Sequence, residues 1–298
     1  MQERPHMEQL RHAVRLSQSG RPYTPLHAST RQGVRMRALA TTFLIATTTA
    51  VAFAQSIDLS KYSIVDLTHA YGPSTIFWPT SPTRFDIEKL AYGKTEGGFF
   101  YAANSLRTPE HGGTHLDAPI HFFEGGQTTE QIPLERLIAA AVVIDVAARA
   151  AADRDYRATA DDVLAFEKLH GRIEKGTIVL LRTGWSRHWP NAKAYLGDDT
   201  PGDASKLSFP SFGADAARLL VEERGAGAIG IDTASIDYGR STDFRVHRIA
   251  ATNNVPGLEN LTNLDRLPPR GALVIALPMK IEGGSGGPLR AVALVPGR

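Results

Sequence analysis

Three imidazoles and a carboxylate fall within eleven residues in the run His111-Gly-Gly-Thr-His115-Leu-Asp117-Ala-Pro-Ile-His121. Imidazole nitrogen and carboxylate oxygen are the donors that borderline and hard divalent cations prefer. A cation held by them would lower the pKa of a water molecule and polarise a carbonyl, the two needs of hydrolysis. His111 and His115 have the i, i+4 spacing of helical zinc sites. Gly112, Gly113 and Pro119 argue against a helix, however, and no His-Glu-x-x-His motif is present. The expectation is a loop or strand end. In an extended segment His115 and Asp117 project to one side, His121 continues that alternation, and Ala118 and Ile120 face the core.

Ten histidines occur in the chain, three of them before residue 36. With His247, four of the remaining seven belong to this constellation, a concentration that packing alone does not explain.

The elements that must position these groups lie downstream of a distinct leader. Arg31, Arg35 and Arg37 precede a short apolar run that ends at Ala52-Phe-Ala54, and residues 36–54 have the pattern of a signal peptide. The expected location is periplasmic or secreted. Residues 1–35 read as a non-native N-terminal extension ahead of a start at Met36, and 55–298 as a single domain. The first 54 residues hold seven of the 33 basic and two of the 31 acidic side chains, so the remainder has a formal net charge of −3. The basic balance of the whole chain therefore points to no nucleic acid, and to no membrane once the leader is cleaved. The absence of cysteine excludes disulfides, thiolate metal sites and a cysteine nucleophile.

Runs at Tyr62–Thr68, Arg84–Tyr92, Phe99–Arg107, Ala141–Val146, Thr177–Arg182, Ala228–Asp232, Ala272–Pro278 and Arg290–Val295 read as strands. Thr159–Gly171 has an N-cap threonine, acids in its first turn and a closing glycine, and reads as a helix. Ala214–Arg224 has helical apolar spacing up to Gly225, and 189–210 reads as a polar loop. The pattern is mixed α/β, with more strand than helix.

Three motifs extend the first: Gly-Ile-Asp-Thr-x-Ser-x-Asp at 230–237, His247 with Glu259 twelve residues on, and Pro278-Met-Lys-Ile-x-Gly-Gly-Ser-Gly-Gly-Pro-x-Arg290. Together they resemble the cyclase-type metal-dependent hydrolases, a family that includes bacterial kynurenine formamidase and isatin hydrolase. The resemblance implies a swivelling β/β/α fold around a mixed, barrel-like sheet, assembled as a homodimer or homotetramer. It implies that His111, His115 and Asp117 hold a first metal. In the formamidase pattern Asp117 bridges to a second metal on His247 and Glu259, while in the isatin-hydrolase pattern a single manganese sits on the first three. Mn2+ and Zn2+ both suit these donors, as one or two ions. By the same resemblance His121 is the general acid–base residue.

The implied substrate is a small aryl formamide or aryl-fused lactam, of the N-formylkynurenine or isatin type. Phe77, Trp78, Phe99, Phe100, Phe122 and Phe123 are candidates for an aromatic pocket. Trp78 is expected at its mouth, and Ser235 as a proton relay or a turn-stabilising hydroxyl. His69 is weighed equally as an outer partner of the site and as a structural residue. A periplasmic protein that binds metal or an aromatic acid without turnover is the alternative, if the ligands fill every coordination position. Gly283-Gly-Ser285-Gly-Gly287 matches a nucleophile elbow only formally, because Pro288 and a strand follow it where a helix is required. Ser285 is expected in a flexible turn near the entrance.

Overall fold

In strands buried on both faces, alternate side chains must enter two different cores. Ile178 and Leu180 pack into one apolar cluster, whereas Val179 and Leu181 pack into another. Ala141 and Val143 separate from Val142 and Ile144 in the same way. This double burial explains the continuous apolar runs at 141–146 and 177–182.

The computed structural model describes residues 58–297, so the leader 36–54 and the segment before it lie outside the described residues. The strands are β1 (Tyr62–Asp66), β2 (Asp86–Lys94), β3 (Phe100–Arg107), β4 (His115–Asp117), β5 (Ile138–Asp145), β6 (Arg157–Ala158), β7 (Ile178–Arg182), β8 (Ser211–Phe212), β9 (Ala228–Ile231), β10 (Gly257–Glu259), β11 (Arg270–Pro278) and β12 (Gly286–Pro296). The helices are α1 (Leu134–Leu137), α2 (Ala147–Ala152), α3 (Ala160–His170), α4 (Ala192–Leu196), α5 (Ala214–Arg218) and α6 (Arg245–Thr252).

The main sheet runs β1-β12-β11-β5-β7-β9-β10-β4, and β4 pairs back onto β12. Strands β12, β11, β5, β7, β9, β10 and β4 thus close into a mixed barrel. β5, β7, β9 and β10 are mutually parallel, and the other pairings are antiparallel. β1 occupies the far half of the β12 edge that β4 shares. The barrel interior holds Leu116, Leu180, Leu258, Val274 and Ala291. The second core lies under α3, α5 and α6, with Val163, Phe166, Leu220 and Val246 packed on β5, β7 and β9. This is the expected barrel-like α/β architecture. Among the described residues no helix is long and apolar enough to cross a membrane.

Local chemistry accounts for the helix ends. Thr159 caps α3 through a capping box with Asp162, and Gly171 closes it with φ 87°. The expected helix over 214–224 is α-helical only to Arg218 and widens into a π turn over Leu219–Glu223. The supposed polar loop 189–210 contains α4 and buries Tyr195, Leu196, Leu207 and Phe209 beneath Ile76 and Trp185. Its polar residues hide short apolar anchors that are too widely spaced to register as a period. The hairpin β2–β3 pairs only with itself, so Phe99 and Phe100 are both exposed rather than near any pocket.

Candidate metal centre

The turn into β4 depends on two glycines. Gly112 and Gly113 have φ of 130° and 60°, a region L side chains rarely adopt. A Cβ on Gly112 would stand 2.2 Å from Phe77 Cδ1, and one on Gly113 2.6 Å from Tyr71 Cζ. The turn is tied from outside: the Tyr71 hydroxyl reaches the carbonyl oxygens of Gly112 and Thr114, and Asn260 Nδ2 donates to Gly113 O at 2.8 Å. Thr114 Oγ1 donates to Asn260 O at 2.6 Å and accepts from the His69 amide.

His115 and Asp117 then lie on one face of β4, as alternation predicts, between β10 and β12. His121 does not continue that alternation. Pro119 opens a 3-10 turn, Pro119–His121, which swings the imidazole back toward the strand. Ala118 is core, and Ile120 packs partly buried against it.

Two trios of donors share Asp117: His111, His115 and Asp117 form one, and Asp117, His247 and Glu259 the other. Asp117 Oδ1 is 2.6 Å from His111 Nδ1 and 3.2 Å from His115 Nε2, while Oδ2 is 3.1 Å from His247 Nε2. Glu259 Oε1 lies 3.2 Å from His247 Nε2, and Oε2 3.6 Å from His115 Nε2. One carboxylate therefore faces both trios.

Outer partners orient the rings. His115 Nδ1 is 3.0 Å from the Gly113 carbonyl, which can only accept, so the N–H is at Nδ1 and Nε2 points inward. His247 Nδ1 is 2.7 Å from Asp237 Oδ2. Asp237 also accepts from the amides of Val246 and His247 at the start of α6, fixing the helix and its histidine together. Within the same 230–237 motif, Asp232 accepts from the amides of Thr183 and Gly184 and ties down the end of β7. Ser235 lines the cavity, and its hydroxyl accepts from the Asp237 amide at 3.2 Å.

The electrostatics suit a cation. At Asp117 burial favours the neutral acid, but the His115 charge and hydrogen bonds from His111, His115 and His247 hold it well below the usual carboxylate range. Burial likewise opposes a charged His115, yet Asp117 and Glu259 raise it to about 9. At His247 burial is outweighed by Asp117, Asp237 and Glu259, which push it well above its ordinary value. Without a metal, the buried acids draw protons onto these imidazoles. A divalent ion would supply that positive charge, and the nitrogen and oxygen donors fit one. His121 is the exception: burial lowers it to about 4 despite Asp117, so its ring is neutral near pH 7. It stacks on His111, and its ring nitrogens have no protein hydrogen-bond partner among the described residues.

The trios open into a cavity of about 450 Å3. Phe77, Trp78, Phe122 and Phe244 give it aromatic walls, while Phe123 lies outside. Phe244 was not foreseen from the sequence. It adopts φ 44° immediately before α6 and lies 5.1 Å from Phe122, ring to ring. A non-glycine residue in that conformation is strained, and such strain persists where the surroundings enforce it. Asp237 and Asn260 were also missed as positioning groups, although both fall within or beside quoted motifs. His69 stacks on Trp189 at 4.3 Å, away from the donors, and touches the site only through its amide.

The Cyclase family model matches residues 65–238. Isatin hydrolase of Roseibium aggregatum is 37% identical over 250 residues, covering 79% of this chain and 93% of that protein. Kynurenine formamidase of Salinibacter ruber is 29% identical over 231 residues, covering 77% and 96%. The crystal structure of an isatin hydrolase bound to the product analogue thioisatinate superposes with a TM-score of 0.73 at 34% identity, covering 80% of this chain and 94% of that one. The chain belongs to the cyclase family. Within it, the protein is a metal-dependent hydrolase.

Proposed function

We propose that this protein hydrolyses the carbonyl–nitrogen bond of a small aryl-fused lactam or aryl formamide, of the isatin or N-formylkynurenine type. The observation that carries the reading is the imidazole of His121, stacked on His111 with no protein partner for its ring nitrogens among the described residues, beside a buried carboxylate that two donor trios share in an aromatic-walled cavity. The kinship to isatin hydrolase and kynurenine formamidase supports the same bond type.

His111, His115 and Asp117 would hold one divalent ion, and Asp117, His247 and Glu259 a second; the two-sided environment of Asp117 supports the two-ion arrangement. Mn2+ and Zn2+ both accept this donor set. When bound, the ion supplies Lewis acidity toward a carbonyl and a water molecule. His121 accepts the proton of the attacking water as its oxygen adds to the carbonyl carbon. As the carbon–nitrogen bond breaks, His121 returns that proton to the departing nitrogen, which would otherwise leave as a poor amide anion. Phe77, Trp78, Phe122 and Phe244 would hold the aryl ring, and Ser235 would border the substrate. The unengaged ring of His121 favours turnover over a binding protein with a closed shell.

Export to the periplasm or exterior is part of the same proposal and rests on residues 36–54. A homo-oligomer is supported by the exposed apolar side chains of Leu90, Tyr92, Phe99 and Phe100 along one hairpin. Metal analysis combined with assays on isatin and N-formylkynurenine tests the activity. Ring opening of isatin alone selects the lactamase reading, and no hydrolysis of either by the metal-loaded protein overturns the proposal.

A further inference from the structure

We propose that Ser285 and Glu110 are positioning residues that fix the tautomer of His111 and so aim its Nδ1 at the cation. The inference rests on the metal-site reading above. Glu110 Oε2 accepts twice from Ser285, from its amide at 3.1 Å and from its hydroxyl. With Oε2 accepting from the amide and the hydroxyl together, the single hydroxyl proton of Ser285 is directed at Glu110. The serine oxygen is left with lone pairs only, and His111 Nε2 lies 2.9 Å from it. That nitrogen must carry the ring hydrogen. With a cation bound, the other nitrogen, Nδ1, which lies 2.6 Å from Asp117 Oδ1, would be the one free to face it.

The backbone holds the relay in register. Gly286 pairs with Asp117 across β12 and β4, and the Ala118 amide donates to Ser285 O at 2.9 Å. A Cβ on Gly286 would come 2.6 Å from His111 Cε1 and 2.5 Å from Leu116 O, so only glycine lets the strand approach this closely. Ser285 therefore lies in the bend just before β12, held at both its amide and its carbonyl. His115 and His247 use a carbonyl and a carboxylate directly for the same purpose; His111 uses a hydroxyl that a carboxylate has polarised.

Ser285, His111 and Asp117 also have the connectivity of a Ser-His-Asp triad. The direction of the serine hydroxyl distinguishes the two roles. A nucleophile would send its proton to the imidazole, whereas here Glu110 receives it.

The test uses the full-length protein stripped of metal with a chelator and titrated with Mn2+ or Zn2+ against a chromogenic competitor. Ser285→Ala should weaken the tighter affinity about ten- to a hundredfold, and Glu110→Gln, whose amide can donate to the serine, should weaken it by about tenfold. Ser285→Thr should restore binding to near the wild-type level. If Ser285→Ala does not fold, Glu110→Gln alone decides. Unchanged affinity in Glu110→Gln, or no rescue by threonine in a folded protein, overturns the relay. A wild-type protein that binds neither ion overturns the metal reading beneath it. Labelling of Ser285 by a fluorophosphonate would assign it the nucleophile's role instead.

Discussion

The imidazole rings of His111 and His121 stack face to face, 3.8 Å between centroids and 16° from coplanar. One ring belongs to the donor trio and the other does not, so the proposed ligand and the proposed proton carrier lie in van der Waals contact. Removing the outer ring should leave the donors untouched. His121→Ala is expected to keep its full metal content and lose about 10²- to 10⁴-fold in kcat, the usual span for a general acid–base group. Elemental analysis and turnover on one sample would check this, and a fully active variant would remove His121 from the mechanism.

Asp117 is shared by both trios, so its loss cannot be confined to one. Asp117→Asn should lose both ions and turnover together. It halves the negative charge of the buried acid pair and leaves an amide nitrogen or oxygen facing each histidine set. Metal stoichiometry by elemental analysis is the measurement, and retention of two ions would contradict the bridging role.

Asp237 both holds His247 and caps α6, and the two duties are separable. Asparagine keeps one oxygen to accept from the Val246 amide, so Asp237→Asn should retain part of the helix cap. It should weaken the second metal about ten- to a hundredfold, as expected when the carboxylate behind a ligating histidine is removed. Comparing thermal unfolding with metal titration separates the effects. A large loss of stability with unchanged affinity would mean that the residue serves only the helix.

The metal-free protein should have an inverted pH response. His115 is raised to about 9, and His247 is raised well above its ordinary 6.5. A folded-state value above the unfolded one gives stability that is complete below about pH 6.5 and is lost as pH climbs through about 9. The melting temperature of chelator-treated protein should therefore fall across that window. Added Mn2+ or Zn2+ competes with those protons and should reverse the slope. A flat profile without metal would show that the buried acids do not draw protons onto the two rings.

Gly112→Ala places a methyl group into Phe77 at φ 130°. The backbone strain alone is of order 1–3 kcal/mol, and relief of the clash would shift the cavity floor. Chemical denaturation should register the loss, with a rise in KM accompanying it. A variant as stable as the parent would show that the loop relaxes freely.

The clustering of the candidate donors was legible in the sequence because residues 111–121 concentrate rare types at short spacing, and β4 obeys the two-residue alternation. His121 was legible as a residue but not in its route to the site, since the 3-10 turn at Pro119 replaces the strand expected there. The buried strands were legible from continuous apolar runs. The short helix at 192–196 and its buried neighbours were not, because single anchors among polar residues carry no period. The aromatic candidates divided by tertiary context: Phe122 turns inward beside His247, whereas Phe99 and Phe100 sit on a hairpin that meets no other strand. Phe244, Glu110 and Ser285 act across long sequence separations, where local spacing holds no information.

Strand β4 is hydrogen-bonded on one side to β10 and on the other to β12, so the donors of 111–117 face groups that the ribosome delivers about 140 residues or more after them. A nascent chain paused before Gly257 has half a receptacle and no wall opposite it. The proposed cation site is therefore incomplete until a strand encoded that far after His111, His115 and Asp117 has taken its place.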